Sequence, residues 1–405
     1  MDQAEPGCSG AEAVLNLQPN SSIAIAYHPL FGTHDDMVLL ELDEKLLPEV
    51  LQQRVTLRGQ PDEDAVLCTQ SKTYAIKFVG TSNIKFVGTS NSSFLIPPSD
   101  QFALSESSLD CNGKFHDQQL LAPVIKVAPG NMELVEVSPK LDKLKLLLLQ
   151  NPLRSEEVLE TQDLDVEKNT TGLYRWDDLV DRVQASNDEL RTSLLALSAV
   201  EIDGYWRVVD EKYMDIILRM LLHNLVLNDW SLDALNEGEV VSVLASDGFP
   251  PKLARHCLDV YGSKRWDGVV GTSNMWKLDE RRVCVHFARE ILKAGKKKME
   301  NFMGEWLKEI PDGMQASFDM LEGEVLTEKL GVDIWVRAFS VSSLPSTPAE
   351  RFLMLFRERA KWEWKDLHPY IRDLKVPGLS SEALLLKYTR RSQPSPDAEP
   401  TFSAR

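Results

Sequence analysis

The pattern of apolar and polar positions divides the chain into a strand-rich first part and a helix-rich second part. In the first part, short segments of β-forming residues are separated by turn residues, most clearly at Gln70, Ser71 and Lys72 and at the Pro129-Gly130-Asn131 sequence. The predicted strands span residues 22–27, 37–42, 65–69, 73–79, 121–127 and 132–137. Short strands with frequent turns predict an antiparallel, β-barrel-like docking domain over residues 1–153, whose unpaired edges are completed by partner chains.

An exact repeat lies inside this region. The octapeptide IKFVGTSN occupies residues 76–83 and again residues 84–91. Strand side chains alternate with period two, so either copy places the same residues on the same face. The spare copy is expected to bulge out as a loop or to extend a hairpin. A local duplication or a misplaced exon boundary in the gene model explains the repeat more simply than a function does.

Beyond a polar segment at 154–171, predicted to be a linker, a new motif recurs along the chain. Each copy is interpreted as two short helices followed by a strand centred on tryptophan, at Trp206, Trp276 and Trp335. In the third copy the second helix is expected at 314–326. A further helix pair at 364–374 and 381–389 has no predicted strand after it.

Two helices followed by a β-wing are typical of the winged-helix variant of helix-turn-helix. We therefore predict an α+β protein in which the docking domain is followed by tandem winged helices, and each wing tryptophan is expected to fill a small core. The predicted domains are winged helix 1 at 172–229, winged helix 2 at 230–299, winged helix 3 with an extra C-terminal helix pair at 300–391, and a disordered tail at 392–405.

Charge is distributed unevenly. The formal net charge is −17, yet residues 351–405 carry 11 Lys and Arg against 7 Asp and Glu, a net charge of +4. Any phosphate contact is therefore expected near the C-terminal end. The five cysteines lack the spacing of a zinc or redox site, so free thiols in a reducing compartment and no metal or cofactor are expected. No secretory signal and no apolar run of bilayer length is found, which indicates a soluble intracellular protein.

The basic residues of this end and one lysine cluster before it are the candidate DNA-binding residues. They are Arg357, Arg359, Lys361, Lys365, Lys375, Lys387, Arg390, Arg391, Lys296, Lys297 and Lys298. The second winged helix offers Lys252, Arg255 and His256 as another contact. The first recognition helix carries Asp188 and Glu189 beside the single Arg191, and such a surface repels phosphate. These three residues are therefore predicted to bind protein.

Three stretches, found in order along the chain, carry a family resemblance. They are residues 64–74 (DAVLCTQSKTY) followed by 81–83, residues 184–206 with QASNDEL and DGYW, and residues 350–391 from ERFLMLFRERAKWEWKDLHPYIRDL to LLLKYTRR. Together they resemble the Dcc-type family of sister-chromatid-cohesion proteins, which are subunits of an alternative replication factor C clamp loader. The duplicated octapeptide departs from the family pattern.

The resemblance implies a nuclear, non-catalytic subunit that supports cohesion during replication. Its implied partners are a clamp-loader-like ATPase large subunit, a small cohesion subunit, the replication factor C small subunits through them, DNA polymerase epsilon, the PCNA clamp that the complex loads or unloads, and single- and double-stranded DNA. The chain has no Gly-x4-Gly-Lys-Ser/Thr loop, so ATP hydrolysis is assigned to a partner.

Two other interpretations remain open. A tandem winged-helix transcription factor or chromatin scaffold would leave a sequence-specific footprint on duplex DNA, but the acidic helices and the net charge argue against it. An enzyme would need a nucleophile motif such as Gly-x-Ser-x-Gly, which is absent from the sequence, and the histidines are scattered.

Overall fold

The computed structural model describes residues 23–27, 39–52, 54–88, 120–160, 170–265, 274–393, 395 and 398–405. The chain forms two compact units. The first consists of Met1–Arg54 with Ala75–Val135, and the second of Val55–Tyr74 with Glu136–Arg405. The second unit therefore takes in residues 55–74, which lie inside the predicted docking domain.

The elements are numbered here in chain order. The strands are β1 Ile23–Tyr27, β2 Leu40–Glu41, β3 Thr56–Arg58, β4 Val66–Cys68, β5 Thr73–Gly88, β6 Leu120–Val137, β7 Ala199–Ile202, β8 Tyr205–Val208, β9 Leu235–Asn236, β10 Gly262–Lys264, β11 Met275–Leu278, β12 Lys297–Lys298, β13 Val325–Leu330, β14 Asp333–Ala338, β15 Lys361–Glu363, β16 Thr389–Ser392 and β17 Thr401–Ala404. The helices are α1 Leu47–Leu51, α2 Leu141–Leu149, α3 Ser155–Glu160, α4 Trp176–Arg182, α5 Asn187–Ala196, α6 Glu211–Leu227, α7 Glu237–Ser246, α8 Pro251–Tyr261, α9 Glu280–Leu292, α10 Met299–Glu309, α11 Pro348–Glu358, α12 Trp364–Leu367 and α13 Ser381–Tyr388. Short 3₁₀ turns lie at Phe318–Leu321, Val341–Ser343 and His368–Tyr370.

The first unit is built mainly from β1, β2, β5 and β6, with β6 between β1 and β5. Both β1 and β2 run parallel to β6, so the prediction of antiparallel strands is wrong for these two pairs, whereas β3 and β4 do pair antiparallel. Strands that are distant in sequence are not joined by a tight turn, and nothing local fixes their relative direction. The mixed α and β composition of the whole chain confirms the predicted α+β class.

The predicted turn at Pro129, Gly130 and Asn131 is also wrong, because β6 continues through it. A Cβ atom at Gly130 would lie 2.3 Å from the carbonyl oxygen of Val79, so glycine is used here for close approach of the backbones. The Asn131 side chain donates a hydrogen bond to the Glu41 carboxylate. Gly130 and Asn131, residue types that often form turns, therefore make contacts between strands here.

Both octapeptide copies enter the same strand. β5 contains the whole first copy and the second copy as far as Gly88, while residues 89–91 lie outside the described residues. The second copy therefore extends β5 rather than bulging out. Its even length preserves the alternation of side chains along the strand.

In the second unit one order of elements occurs three times in full and once without its first strand: a helix, a short strand, two helical segments and two final strands. In three of these repeats the last strand of the repeat lies in the middle of a three-stranded sheet, between the first strand and the second. The resulting orders are β9-β11-β10, β12-β14-β13 and β15-β17-β16. In the first repeat, β7 pairs with β8 and a bridge from Tyr174 to Trp206 replaces the first strand. The sequence pattern did not indicate the two- and three-residue strands.

Three hydrophobic cores support the repeats. The first repeat encloses Leu144, Leu179 and Leu190. The second and third share one core, which includes Phe287 and Trp306. The core of the fourth repeat includes Phe352, Leu355, Trp362, Tyr370 and Phe402, and it also takes in Leu326 of β13 and Leu344 from the chain before α11. The fourth repeat therefore has a core distinct from that of the second and third, but one that rests partly on β13.

The wing tryptophans do not all share one environment. Trp276 is buried in the core of the second and third repeats, and Trp206 packs partly buried against the core of the first. Trp335 is only half-buried and belongs to none of the three cores of the described residues. The prediction of a core role is therefore wrong for Trp335, because its side chain lies on the face of β14 opposite the buried Val336.

Four further expectations differ from the structure. The predicted linker begins with helix α3, whose Glu157 binds the buried Arg207 guanidinium at 2.7 Å, while residues 161–169 lie outside the described residues. The expected helix at 314–326 contains only a short 3₁₀ turn, Phe318–Leu321, and ends in the first residues of β13. The fourth helix pair is followed by strand β16. The predicted disordered tail contains β17, which pairs with β15 and β16 because Phe402 enters the core.

Candidate nucleic-acid interface

The outer face of the β15-β17-β16 sheet aligns two basic side chains. In the strand register, Lys361 of β15 and Arg390 of β16 both lie directly opposite Ser403 of β17. Directly opposed residues point to the same side of a sheet, and adjacent strands are about 4.8 Å apart, so the two Cα atoms are separated by about 10 Å. Lys361 and Arg390 are exposed and have no carboxylate partner among the described residues.

Lys361, Ser403 and Arg390 form a row across the sheet, and the opposite face of the sheet explains why this row points outward. Trp362 and Phe402, each next to a member of the row, are buried in the core of the fourth repeat. Strand side chains alternate between the two faces, so burial of these aromatics orients Lys361 and Ser403 toward solvent. Two residues further along, Thr401 and Ser392 add hydroxyl groups to the outer face.

Several other predicted residues are exposed near this sheet. Arg357, Lys375 and Lys387 have no carboxylate partner among the described residues, and Lys387 lies over the Tyr388 ring at 5.3 Å. Arg391, at the sheet edge, donates a hydrogen bond to the Gln393 side chain at 2.8 Å. The structure therefore leaves most of the C-terminal candidates free to bind an anion.

Other predicted cations are already neutralised within the chain. Arg359 binds Asp366 at 2.7 Å and donates to the Thr327 carbonyl oxygen. The hydrogen bond and charge of Glu363 raise the pKa of Lys365. Lys297 is paired with Glu305 and Lys298 with Asp333, as their contacts of 2.5 and 2.7 Å indicate. Lys296 is exposed, with its ammonium 5.5 Å from the Trp335 ring centroid.

The alternative contact in the second repeat is largely occupied. Arg255 binds Glu237 at 2.7 Å, and the Lys252 ammonium donates to the Glu201 carbonyl oxygen at 3.3 Å. Burial lowers the pKa of His256, which keeps its imidazole neutral at pH 7. This surface therefore presents less free positive charge than the fourth repeat does.

Asp188 and Glu189, the acidic pair of the first repeat, bind the hairpin that β4 and β5 form in the same chain. The Asp188 carboxylate accepts from the Gln70 side-chain amide at 2.8 Å. Glu189 accepts from the Ser186 N–H at 2.8 Å and from the Thr73 hydroxyl at 2.6 Å, and the Ser186 hydroxyl accepts from the Glu189 N–H to complete a capping box. Of the three residues predicted to bind protein, only Arg191 is exposed, over the Trp176 ring.

Replacing Glu189 with lysine is expected to lower the free energy of unfolding by about 2 kcal/mol, because the substitution removes the helix cap and the Thr73 contact. Urea denaturation of the full chain measures this change. Glu189→Gln, which preserves a capping box, should lose less than half as much, and Arg191→Ala should change little. Unchanged stability of Glu189→Lys would show that the capping box contributes nothing here.

Sequence reasoning missed Ser403, Thr401 and the half-buried position of Trp335 outside the hydrophobic cores of the described residues. The first two fell in the segment predicted to be disordered, and Trp335 was assigned to a core. The alternation of Thr401, Phe402 and Ser403 is the signal of a half-buried strand, but a four-residue segment is too short for that signal to be decisive.

Comparison with known proteins gives the family. The family model described as "Sister chromatid cohesion protein Dcc1" matches residues 37–371. The chain is 32% identical over 360 residues to the human protein named sister chromatid cohesion protein DCC1, covering 88% of this chain and 86% of the human one. The chain belongs to the Dcc1 family of sister chromatid cohesion proteins. A Dictyostelium discoideum relative, named a probable member, is 27% identical over 379 residues, covering 88% of this chain and 90% of the relative.

Family membership confirms the resemblance found in the sequence. The matched residues include Lys361 but end before α13, β16 and β17, so Arg390 and Ser403 lie beyond them. A Saccharomyces cerevisiae DCC1 protein is similar over a shorter part, 22% identical across 47% of this chain and 52% of the relative. Among the described residues of this family member, no helix is long and apolar enough to cross a membrane, and no group of His, Cys, Asp and Glu is arranged to hold a metal ion.

Proposed function

We propose that this chain is a non-catalytic subunit of an alternative replication factor C clamp loader, acts in the nucleus, and supports sister chromatid cohesion during replication by helping to load or unload PCNA. Its membership of the Dcc1 family and the names of its relatives support the cohesion role. The proposed partners are the clamp-loader-like ATPase large subunit, a small cohesion subunit, the replication factor C small subunits through them, DNA polymerase epsilon, PCNA and DNA.

The same proposal includes tandem winged helices, four rather than the three expected from sequence. The recurring order of elements supports it, since each repeat ends in a two-stranded hairpin of the kind that forms a wing. In this division the repeats begin at α2, α6, α9 and α11. The docking domain of the first unit is proposed to form a composite barrel with partner subunits. Its sheet is already assembled from segments that are distant in sequence, since β1 and β2 each pair with β6.

One observation carries the DNA-binding part of the proposal: the Lys361–Ser403–Arg390 row on an exposed sheet face. Helix α13 is a poor reader of bases, since Glu382 is in its first turn and the helix centre is apolar. Cations and hydroxyls that contact only phosphate bind without sequence preference. We therefore assign nonspecific DNA binding to the fourth repeat, with Arg357, Lys375, Lys387 and Arg391 as further contacts.

Association with the polymerase is assigned to the exposed side of α5. Asp188 and Glu189 face the chain's own hairpin, whereas Arg191 and Leu195 lie four residues apart on one helical face. Leu195 is 77% exposed, and a large apolar side chain beside an arginine is typical of a protein interface.

The test of DNA binding is the double variant Lys361→Ala/Arg390→Ala in the full chain. Each lost phosphate contact flattens the slope of log affinity against log salt by about 0.9 on duplex DNA, so the double variant should bind more weakly and lose about 1.8 units of slope. Fluorescence anisotropy across a salt series, with two unrelated duplexes, measures both quantities.

A matched control removes the same charge elsewhere. Lys212 and Lys308 are exposed, without carboxylate partners among the described residues, and lie in other repeats. Lys212→Ala/Lys308→Ala should keep the wild-type slope. If Lys361→Ala/Arg390→Ala also keeps the wild-type affinity and slope, the sheet face is not the DNA contact.

A further inference from the structure

Trp335 occupies an unusual position for the tryptophan of a repeat hairpin. It lies on the central strand β14, directly opposite Glu328 of β13 on one side and Lys298 of β12 on the other. Its ring is half-buried and joins no hydrophobic core, whereas Trp276 in the second repeat is 3% exposed. The indole at position 335 is therefore partly accessible and lies outside the cores formed by the described residues.

Two ammonium groups accompany the Trp335 ring. The Nζ atoms of Lys296 and Lys298 lie 5.5 and 5.9 Å from its centroid. Lys298 is also bound to Asp333 at 2.7 Å, while Lys296 has no carboxylate partner among the described residues. An ammonium interacts more weakly with an exposed ring than with a charged acceptor, so a phosphate is able to draw Lys296 away and leave the ring face open.

This position adjoins the basic surface of the fourth repeat. Arg337 lies two residues from Trp335 on the same face of β14 and binds Glu358 in the last turn of α11. The next residue toward the N-terminus of α11 is the exposed Arg357, and Lys361 begins β15 shortly after the helix ends. Arg357 and Lys361 are exposed without a carboxylate partner among the described residues, whereas Arg337 is paired with Glu358 and Glu328 lies beside Trp335.

We propose that Trp335 is a base-stacking subsite for single-stranded nucleic acid, with Lys296 holding an adjacent phosphate. A partly accessible aromatic ring beside cations can serve as a platform for unpaired bases, because every base offers a flat face and the phosphates need neutralising. Bases of a duplex are already stacked and do not reach such a ring. The inference rests on the proposed DNA binding of the fourth repeat and adds to it a preference for unpaired strands.

The experiment measures binding of fluorescein-labelled oligo(dT) and of a duplex to the full chain. Trp335→Leu should weaken oligo(dT) binding by about tenfold while duplex affinity stays within about twofold. Trp335→Phe keeps a stacking ring and should retain most of the affinity. Lys296→Ala should flatten the oligo(dT) salt slope by about 0.7.

A second measurement uses the wild-type chain, so it does not depend on the folding of any variant. Irradiation with a strand containing 5-iododeoxyuridine should crosslink the peptide that carries Trp335. Wild-type oligo(dT) affinity in Trp335→Leu, or crosslinks only to other peptides, would overturn the inference. The hairpin tip, where Leu330 and Val332 are 43% and 95% exposed, would then indicate a protein ligand for this surface.

The two proposals fail in different ways. If Lys361→Ala/Arg390→Ala weakens both DNAs and Trp335→Leu weakens neither, nonspecific DNA binding stands and the stacking subsite is wrong. If neither set of substitutions changes binding, DNA binding by the fourth repeat is wrong as well.

Discussion

Replacement of Trp362 by alanine is expected to unfold the fourth repeat while the second and third repeats stay folded. The Trp362 side chain is completely buried, its indole N–H donates to the Leu355 carbonyl oxygen at 3.0 Å, and its ring meets Tyr370 at 5.7 Å between centroids. Removal of a buried tryptophan typically costs about 3–5 kcal/mol, and here it also removes one of two hydrogen bonds to the Leu355 carbonyl oxygen, which still accepts from the Arg359 N–H. Most of this core lies in the fourth repeat, with Leu326 of β13 and Leu344 as its earlier members, so we expect the loss to be concentrated in the fourth repeat.

Hydrogen exchange followed by mass spectrometry distinguishes local from global loss of structure. In Trp362→Ala, exchange should accelerate in α11, β15 and α13 and remain slow in α9, whose Phe287 lies in the shared core. Trp335→Ala is the matched control, because its half-buried ring joins no core and its loss should cost less than about 1 kcal/mol. Acceleration of exchange throughout α6 and α9 in Trp362→Ala would mean that the repeats unfold together.

The Trp362 variant also links stability to the proposed DNA contact. Lys361 and Arg390 face outward because Trp362 and Phe402 fill the other side of the sheet. Without Trp362 the two cations remain in the sequence but lose their common face. We therefore expect Trp362→Ala to lose duplex affinity as fully as Lys361→Ala/Arg390→Ala, although its net charge is unchanged.

A short sequence motif is a reliable guide to structure where its residue types have a single common structural role, such as capping a helix. At the start of α5, for example, Ser186 and Glu189 form a capping box within four residues of sequence. The Pro-Gly-Asn sequence at 129–131 was misleading because close backbone approach, a tertiary feature, selects glycine there as strongly as a turn does. Strand direction depends on partners distant in sequence and was not accessible from local pattern.

The sequence predicted which region of the chain holds the candidate site, but not which of its basic side chains are free to bind a ligand. The basic excess at the C-terminal end indicated the region. Which cations are free depends on ion pairs between elements, such as Arg359 with Asp366 and Lys298 with Asp333, and sequence spacing does not reveal these. The assignment of Asp188 and Glu189 to partner binding overlooked the hairpin of the same chain, which lies more than a hundred residues earlier.

Strand β3, which pairs with β4, carries a buried arginine. Arg58, at the end of β3, is 6% exposed and donates to the Ala185 carbonyl oxygen and to the Asn187 side-chain oxygen, the latter at 2.6 Å. These acceptors flank Ser186, the N-cap of α5. One guanidinium therefore joins β3 to the corner between α4 and α5, with two donors held in a planar fork.

Substitution of Arg58 by methionine is expected to lower the free energy of unfolding by about 3 kcal/mol. Methionine matches the length of the arginine stem, so the loss comes from two charge-assisted hydrogen bonds and from the unpaired Ala185 carbonyl oxygen. Exchange should accelerate in β3 and β4 and at the start of α5. Urea denaturation and hydrogen exchange of the full chain give the two readouts.

Arg54→Met is the matched control, because Arg54 is exposed and makes no side-chain contact among the described residues. Its stability should stay within about 0.5 kcal/mol of wild type. Arg58→Lys separates charge from geometry, since an ammonium cannot reproduce the planar fork, and it should recover at most half of the loss. If Arg58→Met keeps wild-type exchange in β3 and β4, burial of Leu67 and Cys68 is sufficient to keep these two strands folded. The hydrogen bonds of Arg58 would then not be needed for their stability.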